Sequence, residues 1–422
     1  MEQIFENREP EKAVIAGLAA DSMELRDRST EESLDELEAL LETAGGVCLG
    51  RTLQNRRAPE PRTFIGEGKV GELKEIAKLH ECTLAVFDNE LSPSQMRALA
   101  EDLDIRVIDR SSLILDIFAG RARTREGRLQ VELAQYKYLL PRLTGMWKHL
   151  TSQTGTSAPI GTRGPGETQL ESDRRHIRRK IQKLEEELGE VIRTRDTQRR
   201  LRIKNNIPVV ALVGYTNAGK STLLNTLTDA GIQAENRLFD TLDTTTRRMT
   251  VSDTLDALIS DTVGFIRKLP HHLINAFKAT LEELKYADLI IHVIDASSPE
   301  REEQARVVDE LITELGAETI PRLEAYNKCD IFTDDVRSRA DNTVEISAKT
   351  GQGIDALLEK IERMLNAQKK QVTLRLPYDK AGLVETLHRE SAVIDARYLE
   401  QCIEIDAIIN PELYGRLKTY VV

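Results

Sequence analysis

The stretch GYTNAGKST, Gly214 to Thr222, has the glycine, lysine and hydroxyl spacing of a phosphate-binding loop. It follows the apolar run VVALV and leads into a helical pattern, which is the context such a loop needs. Its glycines let backbone N–H groups face phosphate oxygens, and a helix start adds positive potential. Lys220 is then placed to reach the β- and γ-phosphates, and Ser221 to ligate Mg2+. Downstream, DTVG (Asp261 to Gly264) ends the run LDALIS. Asp261 can hold Mg2+ through water, because Mg2+ keeps several waters, and the Gly264 N–H can contact the γ-phosphate. NKCD (Asn327 to Asp330) closes the run RLEAYN. The Asp330 carboxylate can accept two hydrogen bonds from the N1–H and 2-amino group of guanine. Adenine lacks that pair, and a polar mismatch of this kind discriminates by about 10^4-fold or more. Lys328 can lay its methylene stem on the base, and in SAK (Ser347 to Lys349) the Ala348 N–H can bond guanine O6. Each short string is weak alone; in this order they point to GTP rather than ATP.

The candidate nucleotide contacts come in four groups. The first loop supplies Gly214, Tyr215, Thr216, Asn217, Ala218, Gly219, Lys220, Ser221 and Thr222; the second motif supplies Asp261, Thr262, Val263 and Gly264. The base-reading motifs supply Asn327, Lys328, Cys329, Asp330, Ser347, Ala348 and Lys349. Between the first helix and the next strand, FDTLDTTTRR (Phe239 to Arg248) adds Phe239, Asp240, Thr241, Leu242 and Asp243. A threonine here can bind Mg2+ only while the γ-phosphate is present, so the segment orders with GTP and releases after hydrolysis. Thr241, Thr244 and Thr245 are equally eligible on this ground. Phe265 follows DTVG, and a phenyl ring cannot polarise water. Hydrolysis is therefore expected to be slow alone, at roughly 10^-4 to 10^-3 per second, and to be stimulated by a partner. Asn217 raises a further option, K+ near the phosphates, beside the simpler reading that it only shapes the loop.

These residues need elements to hold them. The chain has 422 residues, too many for one core. Strands alternating with helices over 1–125 imply an α/β domain with a parallel sheet. In SPSQ, Ser92 is a helix cap and Pro93 the first helical residue. Two heptad-like segments follow over 126–205. Leu129, Leu133, Tyr136, Leu140, Leu143, Trp147 and Leu150 form one seam; Ile177, Ile181, Leu184, Leu188 and Val191 form the other. They predict an antiparallel helical hairpin with a Gly-rich tip loop at 151–167, a kink at Pro141, and a second helix running from Asp173 to Lys204. Residues 206–366 read as a doubly wound, mostly parallel P-loop domain, and 371–422 as a small α+β domain.

Net charge is -11, which argues against non-specific nucleic-acid binding by the chain as a whole. Locally, Asp173 to Lys204 carries 12 Lys and Arg against 6 Asp and Glu. Four scattered cysteines without a CxxC pair suggest reduced thiols, and the seven histidines show no ligand spacing. No apolar run is long enough to span a bilayer, and the start has no apolar signal core, so a cytoplasmic location is expected; nothing requires a second copy.

Beyond the nucleotide motifs, TFIGEGKVGEL, DNELSPSQMRALAEDL, IDRSSLILDIFAGRARTREGRLQVELAQYKYLLPRLTG, GTRGPGETQLESDRR and DTVGFIRKLPHHLINAFKATLEE all resemble the HflX family of the Obg–HflX group of GTPases. The resemblance covers most of the chain. It implies a stress-related GTPase that binds the large (50S) ribosomal subunit and splits or rescues stalled or idle 70S ribosomes. It also implies a hairpin tip directed toward the peptidyl-transferase region, with Arg163, Arg174, Arg175, Arg178 and Arg179 on rRNA. Family matching of FDTLD favours Thr241 as the Mg2+ residue, so that Lys220, Thr241 and Gly264 are the catalytic candidates. Two places depart from the family pattern: TSQTGTSAPIG replaces a denser glycine run, and LDTTTR stands where LDPTTR is usual. The competing reading is a nucleotide-gated ribosome assembly factor or scaffold.

Overall fold

The structure is a computed structural model that describes residues 10–146, 165–204, 207–228, 238–239, 245–252, 255–268, 273, 282–331, 341–367, 370–380, 382–399, 401–409 and 411–422. Its contacts divide the chain into two compact units. One comprises Met1–Val191, Glu235–Asp243 and Val263–Thr280; the other comprises Ile192–Ala234, Thr244–Thr262 and Leu281–Val422. The segments 235–243 and 263–280 lie within the P-loop region of the sequence, yet group with the first unit.

The first unit is built on a four-stranded sheet in the order β2-β1-β3-β4, with strands β1 Glu11–Ala20, β2 Gly46–Arg56, β3 Leu84–Phe87 and β4 Arg106–Asp109. All pairings are parallel. β1 lies inside the sheet and is buried along nearly its whole length, which suits its small apolar residues AVIAGLAA. Helices α1 Glu31–Thr43, α2 Glu67–Leu79, α3 Pro93–Leu103 and α4 Arg110–Arg121 connect or follow the strands. α3 starts as its sequence predicts: Pro93 is in the first turn, the Ser92 hydroxyl accepts from Gln95 N, and the Gln95 side chain returns to Ser92 N.

Two long helices follow, α5 Arg125–Met146 and α6 Pro165–Lys204. Within the first unit their predicted seams are buried at Leu129, Leu133, Leu143, Ile177, Leu184 and Leu188. Lys137 pairs with Glu185 at 2.7 Å, and Lys180 donates to the Tyr136 hydroxyl at 2.7 Å, which holds the helices side by side. Pro141 lies inside α5, which continues past it. One expectation changes. α6 begins at Pro165 rather than Asp173, because proline suits a first helical position and the following glycine does not stop the helix. Trp147, Leu150 and the tip residues 151–164 lie outside the described residues.

In the second unit a six-stranded sheet has the order β10-β9-β8-β5-β7-β6. Its strands are β5 Val209–Gly214, β6 Thr245–Ser252, β7 Leu255–Asp261, β8 Leu289–Asp295, β9 Arg322–Asn327 and β10 Thr343–Glu345. Only the edge strand β6 is antiparallel to its neighbour. Helices α7 Lys220–Thr228, α8 Arg301–Glu314 and α9 Ile354–Ala367 belong to this sheet. A separate three-stranded antiparallel sheet, β11 Lys370–Pro377, β13 Cys402–Ile409 and β12 Ala392–Tyr398 in spatial order, joins α10 Gly382–Glu390 and α11 Pro411–Leu417 around its own core.

Candidate functional site

β5 lies between β8 and β7, and its register sets Leu212 opposite Asp261 and Gly214 opposite Val293. The phosphate loop therefore leaves the middle of the sheet at the carboxyl ends of parallel strands, where open α/β sheets bind ligands. Gly214 cannot be replaced without strain, because a Cβ there would lie 2.3 Å from the Val293 carbonyl oxygen. Gly219 has φ +94, and a Cβ on it would lie 2.2 Å from Asn327 Nδ2. Asn217 has φ 61, a left-handed conformation that asparagine tolerates better than most residues. Shaping the loop is thus sufficient reason for Asn217.

Lys220 is buried, and its ammonium donates to Gly214 O at 3.0 Å and Tyr215 O at 2.8 Å. Burial pushes its pKa down to about 8, with Asp261 pulling it back up. Ser221 Oγ donates to Asp261 Oδ2 at 2.9 Å. A hydroxyl and a carboxylate facing each other are the hard oxygen donors that Mg2+ takes, and two of them suit an ion completed by phosphates and waters. Among the described residues no group of three His, Cys, Asp or Glu could hold a metal unaided. When bound there, Mg2+ would supply charge neutralisation at the phosphates. Thr262 sends its hydroxyl to Leu212 O at 2.7 Å, so its side chain serves the sheet. His292 is also internal: burial, then Arg322 and Lys220, drive its pKa down to about 3, and it stays neutral.

The base-reading motif divides its labour. Asn327 is buried; its Nδ2 donates to Ala218 O at 2.8 Å and its Oδ1 accepts from Ala348 N at 2.9 Å. It ties the phosphate loop to the SAK turn. The Ala348 N–H expected on guanine O6 is engaged by Asn327 in this structure, and a bound base would have to share it. Lys328, at φ 67, sends its ammonium to Asp295 Oδ2 at 2.7 Å, which fixes the stem that can cover a base. Cys329 donates from its thiol to Tyr326 O at 3.3 Å, and burial raises its pKa. Asp330 stands exposed in the turn after β9. Ser347 is buried, and its hydroxyl accepts from Thr350 N at 3.2 Å, while Lys349 is exposed.

The remaining candidates belong to the first unit. Val263, Gly264 and Phe265 are buried, Phe265 to 1% exposure, so its ring is committed to packing. Phe239, read from sequence as a nucleotide contact, sets its ring edge-on against Phe118 at 4.7 Å and 82°. Asp240, Thr241, Leu242 and Asp243, together with Arg163, lie outside the described residues. Arg174, Arg175, Arg178 and Arg179 occupy α6, with Arg175, Arg178 and Arg179 exposed.

Sequence reasoning missed one cluster. Asp88, fully buried after β3, accepts from Ser29 Oγ at 2.6 Å, Ser33 Oγ at 2.8 Å and Arg110 Nη1 at 2.7 Å. Its fourth donor is Lys268, four residues beyond Gly264. Burial alone would raise the Asp88 carboxyl, but Arg110 and Lys268 reverse this and hold it below the usual range. Burial lowers the Lys268 ammonium, opposed by Asp88. Asp88 and Lys268 are 180 residues apart, and no local pattern links them.

Four sequence families match the chain in succession. They are described as GTP-binding GTPase N-terminal (residues 31–119), GTP-binding GTPase Middle Region (121–202), 50S ribosome-binding GTPase (209–328) and HflX C-terminal domain (334–408). A GTPase HflX of Caldanaerobacter subterraneus subsp. tengcongensis is 44% identical over 98% of this chain and 95% of its own length. One of Lacrimispora saccharolytica is 46% identical over 99% and 98% respectively. One of Escherichia coli is 45% identical over 88% of this chain and 87% of its own length. Among solved structures, a GTP-binding protein from Sulfolobus solfataricus in complex with GDP is 24% identical, covers 85% of this chain and 99% of its own, and has a TM-score of 0.45.

Proposed function

This chain belongs to the HflX family of GTPases, binding and hydrolysing GTP, and from that premise we propose that it acts on ribosomes. It associates with the large subunit and, in its GTP state, splits or rescues stalled or idle 70S particles, notably under stress, in the cytoplasm. The domains are those read from sequence: 1–125, 126–205, 206–366 and 371–422. Ser221 and Thr241 hold Mg2+ directly and Asp261 holds it through water. A K+ ion at Asn217 is the finer cofactor question.

The observation that supports this reading is the helical arm. Its two helices bury their seams and are cross-braced, while Arg175, Arg178 and Arg179 stay exposed near the start of α6. A stiff element carrying unneutralised cations suits a phosphate backbone. If about five rRNA phosphates are engaged, log affinity falls against log salt with a slope near -4.

Light scattering of 70S particles tests the proposal. Dissociation is expected with GTP and with a non-hydrolysable analogue, and not with GDP. Reversing the charges of Arg174, Arg175, Arg178 and Arg179 is expected to weaken ribosome binding and leave GTP affinity intact. Nucleotide-dependent 50S binding without any dissociation would favour an assembly factor instead. Hydrolysis unchanged by 50S subunits would remove the ribosome as the stimulating partner.

A further inference from the structure

The phosphate loop has a direction that its internal bonds reveal. At one flank the Lys220 ammonium bonds Gly214 O and Tyr215 O, at 3.0 and 2.8 Å. At the other, Asn327 bonds Ala218 O at 2.8 Å and crowds Gly219. Asn327 opens the base-reading motif, and the loop lysine serves the outer phosphates. The loop thus runs from its outer-phosphate end at 214–216 to its base end at 218–219. Thr216 follows the carbonyl that Lys220 holds and so belongs to the outer end.

Thr216 is 6% exposed, and its hydroxyl oxygen is closed from solvent with no hydrogen-bond partner. Threonine hydroxyls in loops ordinarily bond nearby backbone, and a buried polar group without a partner requires a reason. Valine has the same shape and would carry no such penalty. Three other polar residues of the loop have roles visible in the structure: Lys220 holds carbonyls, Ser221 faces Asp261, and Asn217 takes a left-handed φ of 61. Phe265, buried at 1% exposure, offers no polar group after DTVG.

We propose that the Thr216 hydroxyl donates to a γ-phosphoryl oxygen of GTP and is a catalytic residue of the hydrolysis. The inference rests on the GTPase reading of this loop and assigns one side chain within it. GDP has no γ-phosphate, so the bond forms only with GTP. Charge spreads over the terminal phosphoryl oxygens as the transition state forms, so a donor aimed there acts on rate more than on binding.

The full chain carrying Thr216→Val or Thr216→Ser tests this by single-turnover hydrolysis, by affinity for GDP and for a non-hydrolysable GTP analogue, and by thermal melting without nucleotide. For Thr216→Val the hydrolysis rate falls about 10- to 100-fold, the loss of one hydrogen bond to a charged group. GTP-analogue affinity falls by less, roughly 3- to 10-fold, the range of an ordinary hydrogen bond before charge builds up in the transition state, and GDP affinity holds within about twofold. The nucleotide-free Thr216→Val protein melts no lower than the parent, because the hydroxyl it lacks had no partner. Thr216→Ser hydrolyses within about threefold of the parent. Parent-like hydrolysis by Thr216→Val overturns the assignment, as does an equal loss of GDP and GTP-analogue affinity, which would make the hydroxyl a loop-shaping group. A parent protein that fails to hydrolyse GTP overturns the GTPase reading itself, and that outcome is visible before any variant is compared.

Discussion

Replacing Asn327 by alanine separates the two jobs inside NKCD. The side chain joins Ala218 O and Ala348 N, both in residues that are at most 3% exposed. Alanine leaves a buried carbonyl and a buried amide without partners. Each costs about 1–3 kcal/mol, so the loss is roughly 2–6 kcal/mol, against a typical total stability of about 5–15 kcal/mol. For a body of 150–250 residues, about 2–4 °C of melting temperature corresponds to each kcal/mol. The nucleotide-free transition of Asn327→Ala is therefore expected roughly 4–24 °C below the parent. Differential scanning calorimetry reads it, using the transition that added GDP shifts upward, because a chain of several domains has no single melting point. Asp330→Ala is the control. Asp330 is exposed, so its removal should leave the nucleotide-free melt within about 2 °C while abolishing guanine preference. If Asn327→Ala melts like the parent and only nucleotide binding is lost, Asn327 contacts the base and the staple argument is wrong.

Three further outcomes are expected. Lys220 titrates near 8 before nucleotide binds, and bound phosphates restore its proton. GDP affinity should be flat below about pH 7 and weaken toward tenfold per unit above about pH 8; calorimetry in buffers of different ionisation enthalpy should show proton uptake, and a pH-independent affinity would contradict the burial of Lys220. At the other cluster, Asp88→Ala takes the carboxylate from buried Lys268, while Arg110 keeps Glu36, and should cost about 3–5 kcal/mol, whereas Lys268→Ala leaves Asp88 with Arg110, Ser29 and Ser33 and should cost clearly less; equal melting shifts would refute that asymmetry. Because the left-handed backbone accounts for Asn217, GTP hydrolysis should run at equal rates in KCl and NaCl, and acceleration by KCl would add ion ligation to its role.

The nucleotide motifs were legible because each is a continuous string whose chemistry depends on its own backbone path. Gly214 and Gly219 are required by contacts that any such loop makes with the next strand and the next motif. What could not be read was which partner a polar group chooses. Asn327 was read as a nucleotide contact, yet its bonds go to two segments of the protein. Phe239 was read the same way, and its ring packs on Phe118. β1 is buried along both faces and so carries none of the alternation that marks a half-buried strand in a sequence. The heptad seams are legible because a helix repeats its contacts at fixed spacing, but the seam begins only at Ile177 and does not mark the helix's first turns, which start at Pro165 rather than Asp173.

Asp88 follows β3 and Asp109 ends the neighbouring strand β4, with Phe87 and Asp109 in register. Both carboxylates are closed from water. Asp109 accepts from the amides of Leu91 and Ser112, from Tyr138 Oη at 2.7 Å and from Arg142 Nη2 at 3.2 Å. Arg142 also stacks over the Tyr138 ring at 3.4 Å. Two side chains one turn apart on α5 thus grip one carboxylate and each other. Removing either leaves the other on Asp109. Asp88 differs, because its fourth donor, Lys268, comes from a short separate segment. Withdrawing Lys268 leaves that carboxylate with three donors and returns to water an ammonium that burial already disfavours. At Asp88 the segment after DTVG contributes one side chain, whereas at Asp109 helix α5 contributes two. Hydrogen exchange of the full chain reads this directly: amides of 263–268 should change protection between GDP and a non-hydrolysable GTP analogue, while those of α5 around Tyr138 and Arg142 should not. Loosening of α5 with unchanged exchange at 263–268 would reverse the assignment of which contact is the movable one.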